Sequence, residues 1–208
     1  MRILQIANFD YKKNYHQFYN CDYKFYFGLV RNGHAAYQFS NRDIARQEGF
    51  FKSRFGSENA INKKLIKTCR TLKPDMLFIG HSENIKNETL LEIKKAQPNL
   101  KIAGFFVDAL WLPKNVELVK NRLGVFDHIF ITTAGESLNQ FRTTNTKIHF
   151  IANPVDESIE TLKQFEKEHT EYDVFFAGSG DYRTATMQGL KAKLPEVKFN
   201  ILGQKNKP

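Results

Sequence analysis

Six short apolar runs, each leading into a polar loop, set the terms for what this chain can fold into. They are RILQIAN (Arg2–Asn8), AAYQFS (Ala35–Ser40), DMLFIGH (Asp75–His81), KIAGFFVD (Lys101–Asp108), DHIFITT (Asp127–Thr133) and KIHFIAN (Lys147–Asn153). Their β-branched and aromatic content suits strands, and the near-continuous apolar character of KIAGFFVD suits one buried on both faces of a parallel sheet. Helical periodicity falls between the runs, near Asp22–Arg31, Ser57–Leu72, Lys86–Gln97, Lys114–Leu123 and Gly135–Phe141. Gly33, Pro74, Pro98 and Gly124 stand just beyond four of these stretches, where a chain leaves helical geometry. Strands alternating with helices predict an α/β fold with a doubly wound, Rossmann-like parallel sheet, filling a first domain over residues 1–156.

The pattern then changes. Residues 157–171 are charged, with few apolar positions, and read as a linker or a helix crossing between domains. A β-run restarts at Tyr172–Gly178, followed by a helix near Arg183–Leu194 and a strand at Val197–Leu202. Two parallel strands and one helix cannot close a core. Residues 172–208 therefore read as an incomplete second Rossmann-like unit, with the chain stopping inside it.

With 208 residues, 41% of them apolar, the chain is long enough to bury a sizeable core. Cys21 and Cys69 sit in helical segments at a spacing that suggests neither a metal site nor a disulfide framework, so a reducing cytoplasm is the expected compartment. The apolar run in MRILQIANFD is too short for a signal-peptide core, and no segment approaches a membrane span. The formal charge of +9 concerns association, not fold. Its lysines are scattered along helices, and neither zinc-finger spacing nor an aromatic RNA-binding signature accompanies them, so nucleic acid is disfavoured. An anionic small molecule and peripheral contact with an anionic membrane remain as partners.

In open parallel sheets, ligands bind beyond the carboxyl ends of the strands, where strand order reverses. That rule selects Asp10 after the first strand, Arg42 and Asp43 after the second, His81 with Ser82 and Glu83 after the third, Asp108 after the fourth and Asn153 after the sixth. The GSGDYR stretch has two readings. Gly178, Ser179, Gly180 and Arg183 can cradle a phosphate at a helix N-terminus, or the stretch is an ordinary strand-to-helix turn capped by Asp181. It lacks the lysine of a Walker loop, and the first strand lacks G-x-G-x-x-G, which disfavours a dinucleotide-dependent oxidoreductase. Asp108 reads equally as a general base and as a turn-forming residue ahead of Pro113. His81 is an acid–base candidate or a loop hydrogen-bonder. Trp111 is expected in the core, with stacking on a sugar as the alternative.

FGLVRNGHAAYQFSNRDIAR, DMLFIGHSE, IANPVD and YDVFFAGSGDYR, in that order and spacing, resemble bacterial GT-B glycosyltransferases, in particular a spore-maturation-like branch. The resemblance covers nearly the whole chain but about half of such an enzyme. It implies an acceptor-type N-terminal domain and the start of a donor-type domain. It implies transfer of a sugar from a nucleotide-sugar to an acceptor, with a cell-surface glycan as one candidate. No metal or cofactor is implied, since helix dipoles and basic side chains neutralise the leaving diphosphate. Carried onto these residues, the resemblance implies a catalytic or acceptor-orienting role for Asp108, with His81 as a second catalytic candidate from its own place at the end of the third strand. It implies donor contacts at Gly178, Ser179, Gly180 and Arg183, while Asp10, Arg42, Asp43 and Asn153, from their strand-end places, are the acceptor-contact candidates. NRD, Asn41–Asp43, is an Arg–Asp pair shaping that pocket or simply a helix cap. The rival from another class is a non-catalytic α/β module that binds a small anion or nucleotide.

Overall fold

The computed structural model describes residues 1–48, 57–142, 145–179 and 182–204. The chain divides into two compact units, Met1–Ile159 and Glu160–Pro208.

The first unit is built on six parallel strands: β1 (Arg2–Ala7), β2 (Ala35–Ser40), β3 (Met76–Ile79), β4 (Lys101–Phe106), β5 (His128–Ile131) and β6 (Lys147–Phe150). Their order across the sheet is β2-β1-β3-β4-β5-β6. The order reverses between β1 and β3, which pair from Ile3 opposite Met76 to Ile6 opposite Ile79. This is the doubly wound, Rossmann-like arrangement, with its switch point between β1 and β3.

Strand alternation assigns the two faces. Leu4, Ile6, Leu77, Ile79, Ile102, Ile129 and Ile131 pack on one face with residues of α2 (Asn41–Glu48), α3 (Glu58–Leu72), α4 (Asn87–Ala96) and α5 (Pro113–Lys120). Ile3, Phe78, Ala103 and Phe105 pack on the other with Phe25 and Leu29 of α1 (Cys21–Arg31). Each fully buried aliphatic or aromatic side chain contributes roughly 1.5–3 kcal/mol, so these two layers hold the unit together. Gly104 lets β4 fit beneath its neighbour: a Cβ there would lie 2.3 Å from the Phe126 ring.

Three expectations change. Asn41–Glu48, placed by the strand-end rule in a polar loop with a helix cap as the alternative, is helix α2, whose apolar anchors are Ile44 and Ala45 beside buried Asn41 and Asp43. Gly135–Phe141 is helical but of the tighter 3-10 kind, entered through Gly135 at φ +82°. Trp111 is 73% exposed, because Leu110 takes the buried position ahead of α5. Residues 157–171, all described, contain one 3-10 turn, Gln164–Glu166, and no α-helix.

At the end of the first unit, buried Asp156 accepts a hydrogen bond from Arg31, and the Ser158 N–H donates to it at 3.0 Å. The Arg31 guanidinium holds the Asp156 carboxyl below the usual carboxylate range. The NPVDES segment is thereby tied to the end of α1.

In the second unit, β7 (Val174–Ser179) and β8 (Phe199–Gln204) pair in parallel around α6 (Tyr182–Lys193). Phe199 is buried, whereas Phe175 and Leu202 on the opposite face of the two-stranded sheet are 63% and 54% exposed.

Candidate functional site

At the carboxyl ends of β1 and β3 the chain brings together side chains that are distant in sequence. The N-cap of α1 is Asn20, whose side chain accepts the Tyr23 N–H at 3.1 Å and donates to the Asn8 carbonyl at 3.3 Å. This fixes the first turn of α1 at the switch point. Asp22 in that turn is buried, and its Oδ2 accepts the Asn8 N–H at 3.0 Å. Burial pushes its pKa up to about 6, opposed by that N–H and by the charges of His81 and Arg42.

Gly80, just past β3, makes the close approach possible. A Cβ there would lie 2.5 Å from Phe105 and 3.1 Å from Asp22 Oδ1. His81 follows. Its Nδ1 is 3.8 Å from Asp108 Oδ2 and 4.0 Å from Glu83 Oε1, and all three side chains are at least partly open to solvent. These distances are too long for hydrogen bonds, in an arrangement that a bound substrate could tighten.

The loop bearing these groups is braced from below. Asn41 Nδ2 donates to the His81 carbonyl at 2.9 Å and to Ser82 Oγ at 3.1 Å. Ser82 Oγ donates to the Ile6 carbonyl at 3.2 Å. Buried Arg122 donates to the carbonyls of Ser82 and Ile85 at 3.0 and 2.9 Å. Burial lowers the Arg122 pKa from its ordinary value, with Glu83 and Glu88 opposing. Between His81, Glu83, Phe106 and Arg122 lies a crevice of about 20 Å³, room for a single water.

Among the residues selected from the sequence, His81 and Asp108 meet here. Arg42, in the first turn of α2, acts on Asp22 through its charge. Asp10 and Asp43 are turned into the fold. Asp43 accepts from Ser40 Oγ at 2.6 Å, from the Tyr11 N–H at 2.8 Å and from Arg46 at 3.1 Å, while Asp10 lies 3.9 Å from Arg46. Asn153 is exposed on the segment after β6. In the second unit, Gly178 lies in β7 and Arg183 in the first turn of α6. Gly180, Asp181 and the Ser179 side chain lie outside the described residues.

Asp22, Gly80 and Arg122 belong to this candidate site and were not selected from the sequence. The signal for Asp22 was available: an acidic residue two positions after an Asn N-cap, on the helix that follows the first strand. Arg122 offered none.

Asp22 carries a pH prediction. Its folded pKa lies above the unfolded value near 3.8, so the folded state binds the extra proton between those two values. Its contribution to stability is present below about pH 4 and lost as pH rises through about 6. Asp22→Asn, which can still accept the Asn8 N–H, is expected to stabilise the protein at pH 8 by roughly 1–3 kcal/mol. The gain should shrink toward pH 5. Urea unfolding of both proteins across that range measures it, and a gain independent of pH would contradict the assignment.

No family model matches the sequence, and no curated protein matches it. Among solved structures, the chain is similar to a UDP-GlcNAc 2-epimerase from Neisseria meningitidis bound to UDP-GlcNAc, at 12% identity and a TM-score of 0.49. That match covers 99% of this chain and 67% of the other. It is also similar to the apo structure of OtsA, at 12% identity and a TM-score of 0.46, covering 98% of this chain and 65% of the other. The chain thus spans about two thirds of the length of these structures. Among the described residues, no helix is long and apolar enough to cross a membrane, and no group of three or more His, Cys, Asp or Glu side chains is placed to hold a metal ion.

Proposed function

We propose that the protein is a GT-B-type glycosyltransferase, or a part of one, whose first unit is the acceptor side. The observation that carries this reading is the approach of His81 to Asp108 at the ends of adjacent strands beside the switch point. With Nδ1–H turned toward Asp108 and Glu83, Nε2 is left as the base. It takes the proton of an acceptor hydroxyl as that oxygen attacks the sugar's anomeric carbon. The bond from that carbon to the nucleotide diphosphate breaks, and its electron pair leaves with the phosphate oxygen. Asp108 and Glu83 lie opposite the positive charge the ring then carries.

The acidity of the surroundings favours this role over phosphate binding. Where many doubly wound folds seat a phosphate on the first helix, this chain puts the Asp22 carboxylate. Glu83 and Asp108 add negative charge around His81, with Arg42 the positive charge acting on Asp22. A hydroxyl-bearing acceptor suits that field better than a diphosphate. In this reading the diphosphate belongs to the second unit, at Gly178, Ser179, Gly180 and Arg183, and the compartment is the cytoplasm.

Calorimetric titration with a panel of nucleotide diphosphates and nucleotide-sugars tests the assignment. Weak binding is expected, well above the micromolar range, because the cradle offers a small contact area. Arg183→Ala should abolish it and His81→Ala should leave it unchanged. Sub-micromolar affinity, or loss on replacing His81, would favour the rival reading of a nucleotide-binding module centred on the first unit.

A further inference from the structure

Between β1 and α1 the chain runs through DYKKNYHQFYN, Asp10–Asn20. Residues 11–19 hold four exposed large aromatic side chains: Tyr11 at 37%, Tyr15 at 54%, Phe18 at 57% and Tyr19 at 53%. Lys12, Lys13 and His16 lie among them, and residues 11–19 include no acidic residue.

The loop is built, not slack. Tyr11 is held at both ends, its N–H on Asp43 at 2.8 Å and its hydroxyl on Gln38 at 2.5 Å. The Asp10 carbonyl accepts from the N–H groups of Lys13 and Tyr15, and the Tyr15 carbonyl accepts from that of Phe18. Asp10, Asn14 and Tyr15 all adopt left-handed backbone conformations, at φ 53°, 53° and 58°. That geometry is uncommon for a bulky residue such as Tyr15 and persists only where surrounding contacts enforce it. Tyr11 meets Tyr15, and Phe18 meets Tyr19, with ring centroids 5.8 and 5.4 Å apart. Such a loop holds apolar rings in water at a cost that folding alone does not require.

Rings with polar edges beside lysines are the composition of a surface that sits at a lipid headgroup layer. The charge decides the partner: paired lysines without a carboxylate, on a chain of net charge +9, complement an anionic surface, whereas a neutral saccharide would gain nothing from them. We propose that the Tyr11–Tyr19 loop docks the protein on an anionic lipid bilayer. Tyr15, Phe18 and Tyr19 enter the interfacial layer, and Lys12 and Lys13 face the lipid phosphates. This goes beyond the transfer reading and does not depend on it.

Flotation of the 208-residue protein with vesicles tests the proposal. Vesicles of phosphatidylcholine mixed with phosphatidylglycerol are compared with phosphatidylcholine alone. Binding is expected only with the anionic lipid and should weaken as salt is raised. Phe18→Ser with Tyr19→Ser, and separately Lys12→Glu with Lys13→Glu, should each weaken binding by about tenfold or more. These side chains are exposed, so circular dichroism should be unchanged. The control makes the same charge change on α3, Lys63→Glu with Lys67→Glu, and should retain most of the binding. Absence of binding to the anionic vesicles, or an equal loss in the α3 control, would overturn the proposal. So would tyrosine signals of the loop that respond to a neutral oligosaccharide and not to vesicles, which would make the loop a saccharide platform.

Discussion

His81→Ala is expected to lower kcat/KM for sugar transfer by about 10²- to 10⁴-fold, the span a positioned general base contributes. The assay uses the protein as its cells make it, with its own donor and acceptor. Asp108→Asn should lower transfer less than His81→Ala, because the amide can still meet Nδ1–H but leaves the imidazolium charge unopposed on that side. Glu83 remains 4.0 Å from the ring and carries part of the same task. Full activity in His81→Ala would remove the base from this site. Full activity in Asp108→Asn together with lowered stability in Asp108→Ala would leave Asp108 as a turn residue.

The second large effect is on folding. Gly104→Ala places a methyl group 2.3 Å from Phe126 Cε2 and 2.6 Å from Cδ2. The Phe126 ring is buried against the face that α2–α5 cover, and the Arg122 guanidinium stands 5.6 Å from its centroid. The ring cannot swing into solvent to make room, so β4 or the ring must shift. Overpacking of this kind costs about 1–3 kcal/mol. In a domain of this size each kcal/mol lowers Tm by roughly 2–4 °C. Gly28→Ala in α1, where an added Cβ meets nothing within 4 Å, is the internal contrast. It should raise stability by about 0.5–1 kcal/mol, since alanine loses less backbone freedom in a helix. Thermal melts of the two variants should move in opposite directions, and a Gly104→Ala protein as stable as its parent would mean that the β4 packing is looser than described.

Much of the fold was legible because strands buried on both faces must be apolar nearly throughout. β1 and β4 advertise themselves in this way, and the polar residue that ends each run marks the sheet's functional edge. His81 and Asp108 were selected by that logic, and their side chains approach to 3.8 Å. Helix α2 was legible only as a possible cap at NRD, because NRDIARQE turns two apolar residues, Ile44 and Ala45, inward and its other buried side chains, Asn41 and Asp43, are polar. Asp22 carries a local signal in its place after the Asn20 N-cap, but its closeness to Gly80, where a Cβ would lie 3.1 Å from Oδ1, is a relation between residues on different elements that periodicity does not report. Arg122 is held by carbonyls 37 and 40 positions earlier, and periodicity does not report such a bond. Trp111 misled because size argues for burial, whereas the turn before α5 had room inside for Leu110 only.

The central claim is that the carboxyl ends of β3 and β4 receive a hydroxyl-bearing acceptor and not the nucleotide. NMR of the His81 ring signals, assigned by their loss in His81→Ala, tests this most directly in the protein itself. The signals are followed while neutral oligosaccharides, and separately nucleotide diphosphates, are added at constant pH. Shifts of the His81 resonances with an oligosaccharide, attenuated in Asp108→Ala and absent with nucleotide diphosphates, are the predicted result. Shifts with a nucleotide diphosphate and none with any saccharide would contradict it.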